Sequence, residues 1–348
     1  MHVGGAETLL ANSLAPGGLQ QNCNNILVFL GGPSHLLNRI DKGVIIINLN
    51  YTSYLKLPKI LLQIRKIIKR YKIDIIHSHL SPVGSYTRFI APPKIPLVHT
   101  LHIMYTHDKD TLPIFLKLDK KILYKHRNTA LVFLSPLLQK DFLQAISSFK
   151  GKTFTLPNFV EDKFFELPAP TDKNKIFKII CIGANRGQKN YSYLFKIAGY
   201  LKGKNIDIDI YGGGDFSEFE KLIVTNKLPI HIKGLHQNIS AILPEYNLFM
   251  MPSTFEGYPL SVIEAMASGL PCFLSNIPTL TDIGNDRAIF FNLDDAKKAA
   301  EDLIELSQNK IQLQTIARKG KDFANEEGKR EKYISKLIGI YNDILNSK

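Results

Sequence analysis

Phe255-Glu256-Gly257-Tyr258-Pro259-Leu260-Ser261-Val262-Ile263-Glu264-Ala265-Met266-Ala267-Ser268-Gly269-Leu270-Pro271 is the stretch whose reading decides the fold of this 348-residue chain. Just before it, Leu248-Phe249-Met250-Met251 is an unbroken apolar run that reads as a buried strand. Pro252, Ser253, Gly257 and Pro259 then break the chain. Proline suits the first helical position, so the pattern predicts a helix that begins at Pro259 and stops at Gly269, with Pro271 beyond it. The unit is strand, loop, helix N-terminus. Such an N-terminus offers unpaired backbone N–H groups and the positive end of the helix dipole, a ready site for phosphate. Glu256 in the loop and Glu264 on the helix frame that site. From Pro259 to Glu264 the helix rises roughly 7–8 Å, so one acid lies near one end of a bound diphosphate ligand and the other toward its far end. An acid beside a phosphate pocket is costly unless it holds something, such as sugar or ribose hydroxyls.

With the Pro, both Glu, Ala-Met-Ala and Gly-x-Pro in place, the stretch resembles the E-x7-E signature of the retaining GT-B glycosyltransferases known as family 4. The resemblance implies an α/β fold of two Rossmann-like domains whose parallel sheets face a cleft. It implies a nucleotide diphosphate sugar as donor, UDP- or GDP-linked, with no further cofactor and no metal. The expected reaction passes a hexose or N-acetylhexosamine, with retained anomeric configuration, to a glycan or lipid-linked acceptor in cell-surface polysaccharide synthesis, as of lipopolysaccharide or capsule. In such a site Glu256 holds sugar hydroxyls and stabilises positive charge at the anomeric carbon, and Glu264 accepts from ribose hydroxyls. Gly257, Tyr258, Pro259, Leu260 and Ser261 line the diphosphate.

Bulk properties agree with two soluble α/β domains. Apolar content is 45% and charged content 22%. Cys23, Cys181 and Cys272 are widely spaced and show no metal spacing, which reads as buried thiols in a reducing cytoplasm. The sequence has no apolar run long enough to span a bilayer and opens with no signal peptide. The formal charge of +13 is uneven: residues 1–160 hold 20 Lys+Arg and 7 Asp+Glu, whereas residues 161–348 hold 24 of each. The basic half implies a polyanionic partner. An anionic membrane surface on the cytoplasmic face fits, with the protein held there peripherally. Nucleic acid does not, because no reading motif or stacking aromatic set accompanies the charge.

Taken in order, the chain opens with Gly4-Gly5-Ala6-Glu7 ahead of a helical pattern. In the family this motif follows the first strand of the N-terminal domain and borders the donor, so Gly4 and Gly5 are donor contacts and the first strand is the part not seen here. Strands are expected at 25–30, 44–47 and 131–135. Ile60, Leu61, Ile64, Ile67 and Ile68 follow helical spacing with basic residues between them, and Lys117 to Arg127 reads as a second basic helix. His77-Ser78-His79 and His99-Thr100-Leu101-His102 stand at strand ends, without the carboxylate or Cys that would complete a metal set. Thr100-Leu101-His102 matches the family's Thr-x-His, which places His102 near the donor sugar. Asn158 enters the linker, followed by Phe159 where the family has Gly. Pro168 to Lys175 carry linker composition, so the domains read as 1–160 and 161–323, with a tail helix from about 324 crossing back onto the first.

In the second half a strand at 178–182 ends at Gly183, and Arg186 and Lys189 sit in the loop before the next helix. By resemblance they hold the donor diphosphate, Lys189 at the usual distance and Arg186 from a shifted place, since the usual Arg position is Ala184. Gly212-Gly213-Gly214 is too loose for a dinucleotide fingerprint. Gly234 and Leu235 fall where the family rests the nucleobase. A GT-B epimerase or phosphorylase, or a relative that binds nucleotide sugar without transfer, stays open on the sequence.

Overall fold

The structure is a computed structural model that describes residues 5–31, 36–108, 111–127, 129–168, 176–236 and 238–347. Internal contacts divide the chain into two compact units, Met1–Asn158 with Arg330–Lys348, and Phe159–Lys329. Gly4, the residues ahead of it and most of the 168–175 linker lie outside the described residues.

In the first unit β1 (Ile26–Phe29) pairs in parallel with β2 (Ile45–Asn48). A separate parallel sheet runs β3 (Ile76–His79), β4 (Leu97–Leu101), β5 (Thr129–Phe133) and β6 (Thr153–Thr155) in that order. β4 and β5 are buried along their whole length, as strands covered on both faces must be. The Leu57–Arg70 helix turns Leu57, Ile60, Leu61 and Ile68 inward and leaves its Lys and Arg side chains exposed, as its periodicity predicts.

The basic segment 117–127 departs from expectation. It is not one helix: Pro113–Leu118 runs into a wide, π-type turn, Asp119–Leu123, and then Tyr124–His126. The wide turn carries Asp119 inward to Arg88, both 1% exposed. Arg88 Nε and Nη2 donate to the two carboxylate oxygens at 2.8 and 2.7 Å, Ser85 donates to the same carboxylate, and the guanidinium lies 4.2 Å over the Tyr124 ring. A buried charge is costly unless an opposite charge meets it, and the wide turn brings Asp119 to two of the three guanidinium nitrogens, leaving Nη1 buried without a partner among the described residues.

In the second unit β7 (Phe177–Ile182), β8 (Ile206–Tyr211), β9 (Ile230–Gly234), β10 (Leu248–Met251), β11 (Cys272–Ser275) and β12 (Ile289–Phe291) form one parallel sheet in the order β12-β11-β10-β7-β8-β9. The chain builds outward from β7 to β9, then starts again at β10 on the other side of β7. That reversal is a topological switch point, the place at which open α/β sheets commonly bind their ligands.

The predicted strand before the decisive stretch is β10, buried at all four residues. The helix begins one residue later than expected, at Leu260, because Pro259 has ψ 109° and caps the helix rather than joining it. Its other end is as read. Gly269 takes φ +74°, its N–H bonds to Met266 O at 2.9 Å, and Leu270 N–H bonds to Ala265 O at 2.9 Å, the paired closure that only a left-handed residue allows.

The tail also needs correcting. The helix Lys310–Glu327 stays in the second unit through Glu327, because Gly320 packs on Met266, Ala324 is fully buried and Arg287 lies 4.1 Å over the Phe323 ring. The segment that joins the first unit starts at Arg330, not at 324. There Tyr341 and Asp343 bond His77 and Lys152.

Candidate functional site

The loops leaving β7 and β10, on either side of the switch point, are tied together. Thr254 N–H donates to Gln188 O at 2.9 Å, and Lys189 Nζ donates to Glu256 Oε1 at 2.7 Å. Ser253, fully buried, donates to the same oxygen at 2.7 Å, and Ser275 Oγ donates to Ser253 O at 2.6 Å. Thr279 Oγ1 donates to the backbone carbonyl of Glu256 at 2.8 Å. Glu256 is 7% exposed and is therefore aimed at Lys189 rather than at bulk solvent. Desolvation offsets most of the Coulomb gain of so buried a pair, so what the arrangement supplies is direction more than stability. Capacity remains at both ends. The ammonium has three donors and uses one here, while Oε2 of Glu256 has no hydrogen-bond partner among the described residues.

Local backbone explains the position of Lys189. Gly187–Lys189 is a single 3-10 turn closed by Asn190 at φ 52°. The lysine stem then crosses Gly183, where a Cβ would stand 2.8 Å from Lys189 Cε, so the glycine makes room for it. Arg186, by contrast, is exposed, and although its carbonyl accepts from Lys189 N–H at 2.8 Å, its guanidinium has no hydrogen-bond partner among the described residues. The structure does not bring its guanidinium to the Glu256 carboxylate.

Of the residues expected to line a diphosphate, Gly257, Tyr258 and Pro259 are buried, and Leu260 and Ser261 are half-buried. No side chain caps the helix that starts there, so its first N–H groups are not closed off by one. Glu264 is half-buried on the same helix. Its charged neighbours are Glu161 and Lys163. Burial first, and then Glu161, push its carboxyl up to about 7, while Lys163 pulls the other way.

The ends of β7, β8 and β9 interlock beside this loop pair. Gly183 N–H bonds to Tyr211 O at 2.8 Å, Asn185 N–H to Gly213 O at 2.7 Å, and Gly212 N–H to Gly234 O at 2.9 Å. A Cβ on Gly212 would stand 1.9 Å from Gly183 O, so no other residue fits. Gly234 has φ +70°, and Leu235, 80% exposed, lies over Gly213. The glycine run Gly212-Gly213-Gly214, too loose for a dinucleotide fingerprint, is thus a packing device of the strand ends. Ser253 and Thr279 were also missed. Ser253 could have been suspected as a hydroxyl three residues before Glu256, whereas Thr279 carries no local signal.

In the first unit, Gly5 opens the Gly5–Ser13 helix and is exposed. His102 is half-buried, and its Nε2 lies 3.0 Å from His79 Nδ1. His99 faces the other way: its Nδ1 lies 3.1 Å from Ser78 O, and its ring packs on Gly84. Among the described residues no group of three or more His, Cys, Asp or Glu could hold a metal ion.

Comparison with known proteins adds the lineage. The family model for glycosyl transferases group 1 matches residues 160–323, and that for Glycosyltransferase Family 4 matches residues 3–164. The Escherichia coli UDP-Gal:alpha-D-GlcNAc-diphosphoundecaprenol alpha-1,3-galactosyltransferase is 29% identical over 247 residues, 65% of this chain and 63% of that protein. The match therefore spans less than two thirds of that relative's length. A glycosyltransferase structure from Rickettsia africae matches over 100% of this chain and 97% of that one, with a TM-score of 0.81 at 18% identity. Anabaena HepE, solved with UDP and glucose, matches over 98% and 96%, with a TM-score of 0.80 at 15% identity. At these identities the structural likeness speaks for the fold. Family models covering both units, a parallel α/β sheet with its switch point and structural neighbours of the same build agree, and the chain belongs to the GT-B glycosyltransferases of group 1.

Proposed function

We propose that this chain transfers a hexose or N-acetylhexosamine from a UDP- or GDP-sugar to a glycan or lipid-linked acceptor, with retained configuration and without a divalent metal. The observation that carries the reading is the Lys189–Glu256 pair at the switch point, beside a helix N-terminus that no side chain caps. As the glycosidic bond breaks, charge gathers on the departing diphosphate. Lys189 and the N–H groups at Leu260 and Ser261 are fixed donors for it, and Arg186 is a further cation on the loop that carries Lys189. Glu256 Oε2 accepts from a sugar hydroxyl and sets negative charge near the anomeric carbon. Glu264 takes the ribose hydroxyls, Gly234 and Leu235 carry the base, and His102 and Gly5 contact the sugar. The E. coli relative takes UDP-Gal and an acceptor built on diphosphoundecaprenol, which supports a UDP-sugar and a lipid diphosphate acceptor.

The test is incubation with UDP- and GDP-sugars, with and without a polyprenyl diphosphate-linked glycan, in the presence of a chelator. A glycosylated acceptor with α-configured product supports the reading. A new sugar formed without acceptor would point to epimerisation or phosphorolysis, and tight donor binding without turnover to a non-transferring relative.

Glu264 adds a pH dependence. Its carboxyl is held up at about 7, above the usual 4.5, so it ionises across the range pH 6 to 8. The ionised form accepts from both ribose hydroxyls, whereas the protonated form spends one oxygen as a donor. UDP-sugar affinity, measured by calorimetry, is expected to tighten from pH 6 to pH 8. A UDP-sugar is the right probe because its diphosphate does not titrate there. Glu264→Gln should flatten the profile, and an unchanged slope in that variant refutes the ribose contact.

We propose further that the first unit meets anionic lipid at the cytoplasmic face of the membrane. The Leu57–Arg70 helix has no acid, and its exposed Lys59, Arg65 and Lys66 flank Leu62, 59% exposed. Leu55 and Ile114 are 93% and 71% exposed. Such mixing of basic and apolar side chains suits an interfacial surface. Among the described residues no helix is long and apolar enough to cross a membrane. Sedimentation with phosphatidylglycerol vesicles should fall at least about tenfold in Lys59→Glu/Lys66→Glu and fade with salt. Equal binding to phosphatidylcholine vesicles would remove the proposal.

A further inference from the structure

The first unit carries a row of imidazoles of which the proposed reaction uses one end. β3 and β4 pair in parallel with His79 opposite Thr100, and alternate residues share a face, so His77 and His79 stand together. His77 is pinned at both nitrogens: Nε2 lies 2.7 Å from Thr100 Oγ1, and Nδ1 lies 2.7 Å from the Tyr341 hydroxyl. Its ring rests on His79 with centroids 4.2 Å apart. His79 Nδ1 in turn lies 3.0 Å from His102 Nε2. Nδ1 of His102 has no hydrogen-bond partner among the described residues. Burial lowers His79 to about 4 and holds His77 and His102 well below the usual value, with neighbouring imidazoles adding to the effect on those two. All three rings are therefore neutral near pH 7.

Between two neutral imidazoles a single proton serves the N···N contact, which leaves two arrangements. In one, His102 Nε2–H donates to His79 Nδ1, and both rings are Nε2–H tautomers. In the other, His79 Nδ1–H donates to His102 Nε2, and both rings adopt the Nδ1–H form, the less stable tautomer of neutral histidine. The first arrangement is favoured at both rings. It leaves a bare lone pair on Nδ1 of His102.

We propose that His79 fixes the tautomer of His102, so that His102 meets a hydroxyl of the bound sugar only as a hydrogen-bond acceptor, through an unprotonated Nδ1. His79 is then a positioning residue. A histidine held this way orients a hydroxyl but does not protonate the departing diphosphate. The inference rests on the reading of His102 as a sugar contact, and its test has one arm that needs no turnover.

In the full chain labelled with 15N-histidine, long-range 1H–15N correlations read the tautomer of each ring, and loss of a signal in His102→Gln assigns His102. The expected spectrum has a protonated Nε2 and an unprotonated Nδ1. His79→Leu should give a tautomer mixture at His102 and lower kcat roughly tenfold while the donor KM holds. His79→Asn, whose Oδ1 can take the place of Nδ1 as acceptor, should restore both. A protonated Nδ1 in the native chain, or a His102 spectrum indifferent to His79→Leu, overturns the proposal. If His79→Leu does not fold, the native spectrum and the Asn variant still decide it. If the tautomer behaves as stated but His102→Gln transfers sugar normally, the sugar contact fails while the tautomer assignment stands.

Discussion

Glu256→Gln is expected to lower sugar transfer by about two to three orders of magnitude, the usual cost of losing one preorganised electrostatic group. Affinity for UDP or GDP should hold or tighten. The reason is the pairing seen at the switch point. Lys189 Nζ and Ser253 Oγ both donate to Oε1 of Glu256, so the carboxylate competes with a diphosphate for the ammonium. Gln keeps the shape and an acceptor oxygen but removes the charge, which frees the lysine and removes the anion beside the anomeric carbon. Product formation in single turnover and nucleoside diphosphate binding by calorimetry separate the two effects. A tenfold loss of nucleotide affinity would show that Glu256 serves the nucleotide and not the sugar.

Lys189→Ala should act in the opposite sense. UDP affinity is expected to fall by about one to two orders of magnitude, the range for a charge-assisted hydrogen bond. Stability should fall as well, by about 3 kcal/mol, because the variant leaves a largely buried carboxylate without its cation. The two side chains are only 16% and 8% exposed, so solvent screens this loss little. The double variant Lys189→Ala/Glu256→Gln discriminates. It should regain most of the stability, since no buried charge is left unpaired, yet bind UDP as weakly as Lys189→Ala alone. Urea unfolding and calorimetry on the four proteins of the cycle supply the numbers. If the double variant binds UDP as well as the native chain, Lys189 does not hold the phosphates.

Both predictions depend on a meeting that no local pattern contains. Lys189 and Glu256 are 67 residues apart. They touch because β10 returns to pair with β7 after β8 and β9 have been laid on its other side, and strand order depends on how whole layers pack. The His79–His102 contact has the same origin, since the pairing of β3 with β4 sets which histidines become neighbours. The wide turn at Asp119 shows the reverse pressure: helical spacing yields where a buried arginine meets its carboxylate partner.

By itself, the amino-acid order determined the strand-loop-helix unit around Glu256, the stop at Gly269 and the basic face of the first unit. Those features rest on short-range rules, the fixed torsion of proline, the left-handed freedom of glycine and the period of apolar residues. Tertiary structure alone decided that Lys189 rather than Arg186 meets Glu256, that Ser253 and Thr279 brace it, and that the last helix changes unit at Arg330. Each of these depends on which surfaces burial brings together, and that is a property of the packed chain rather than of any window along it.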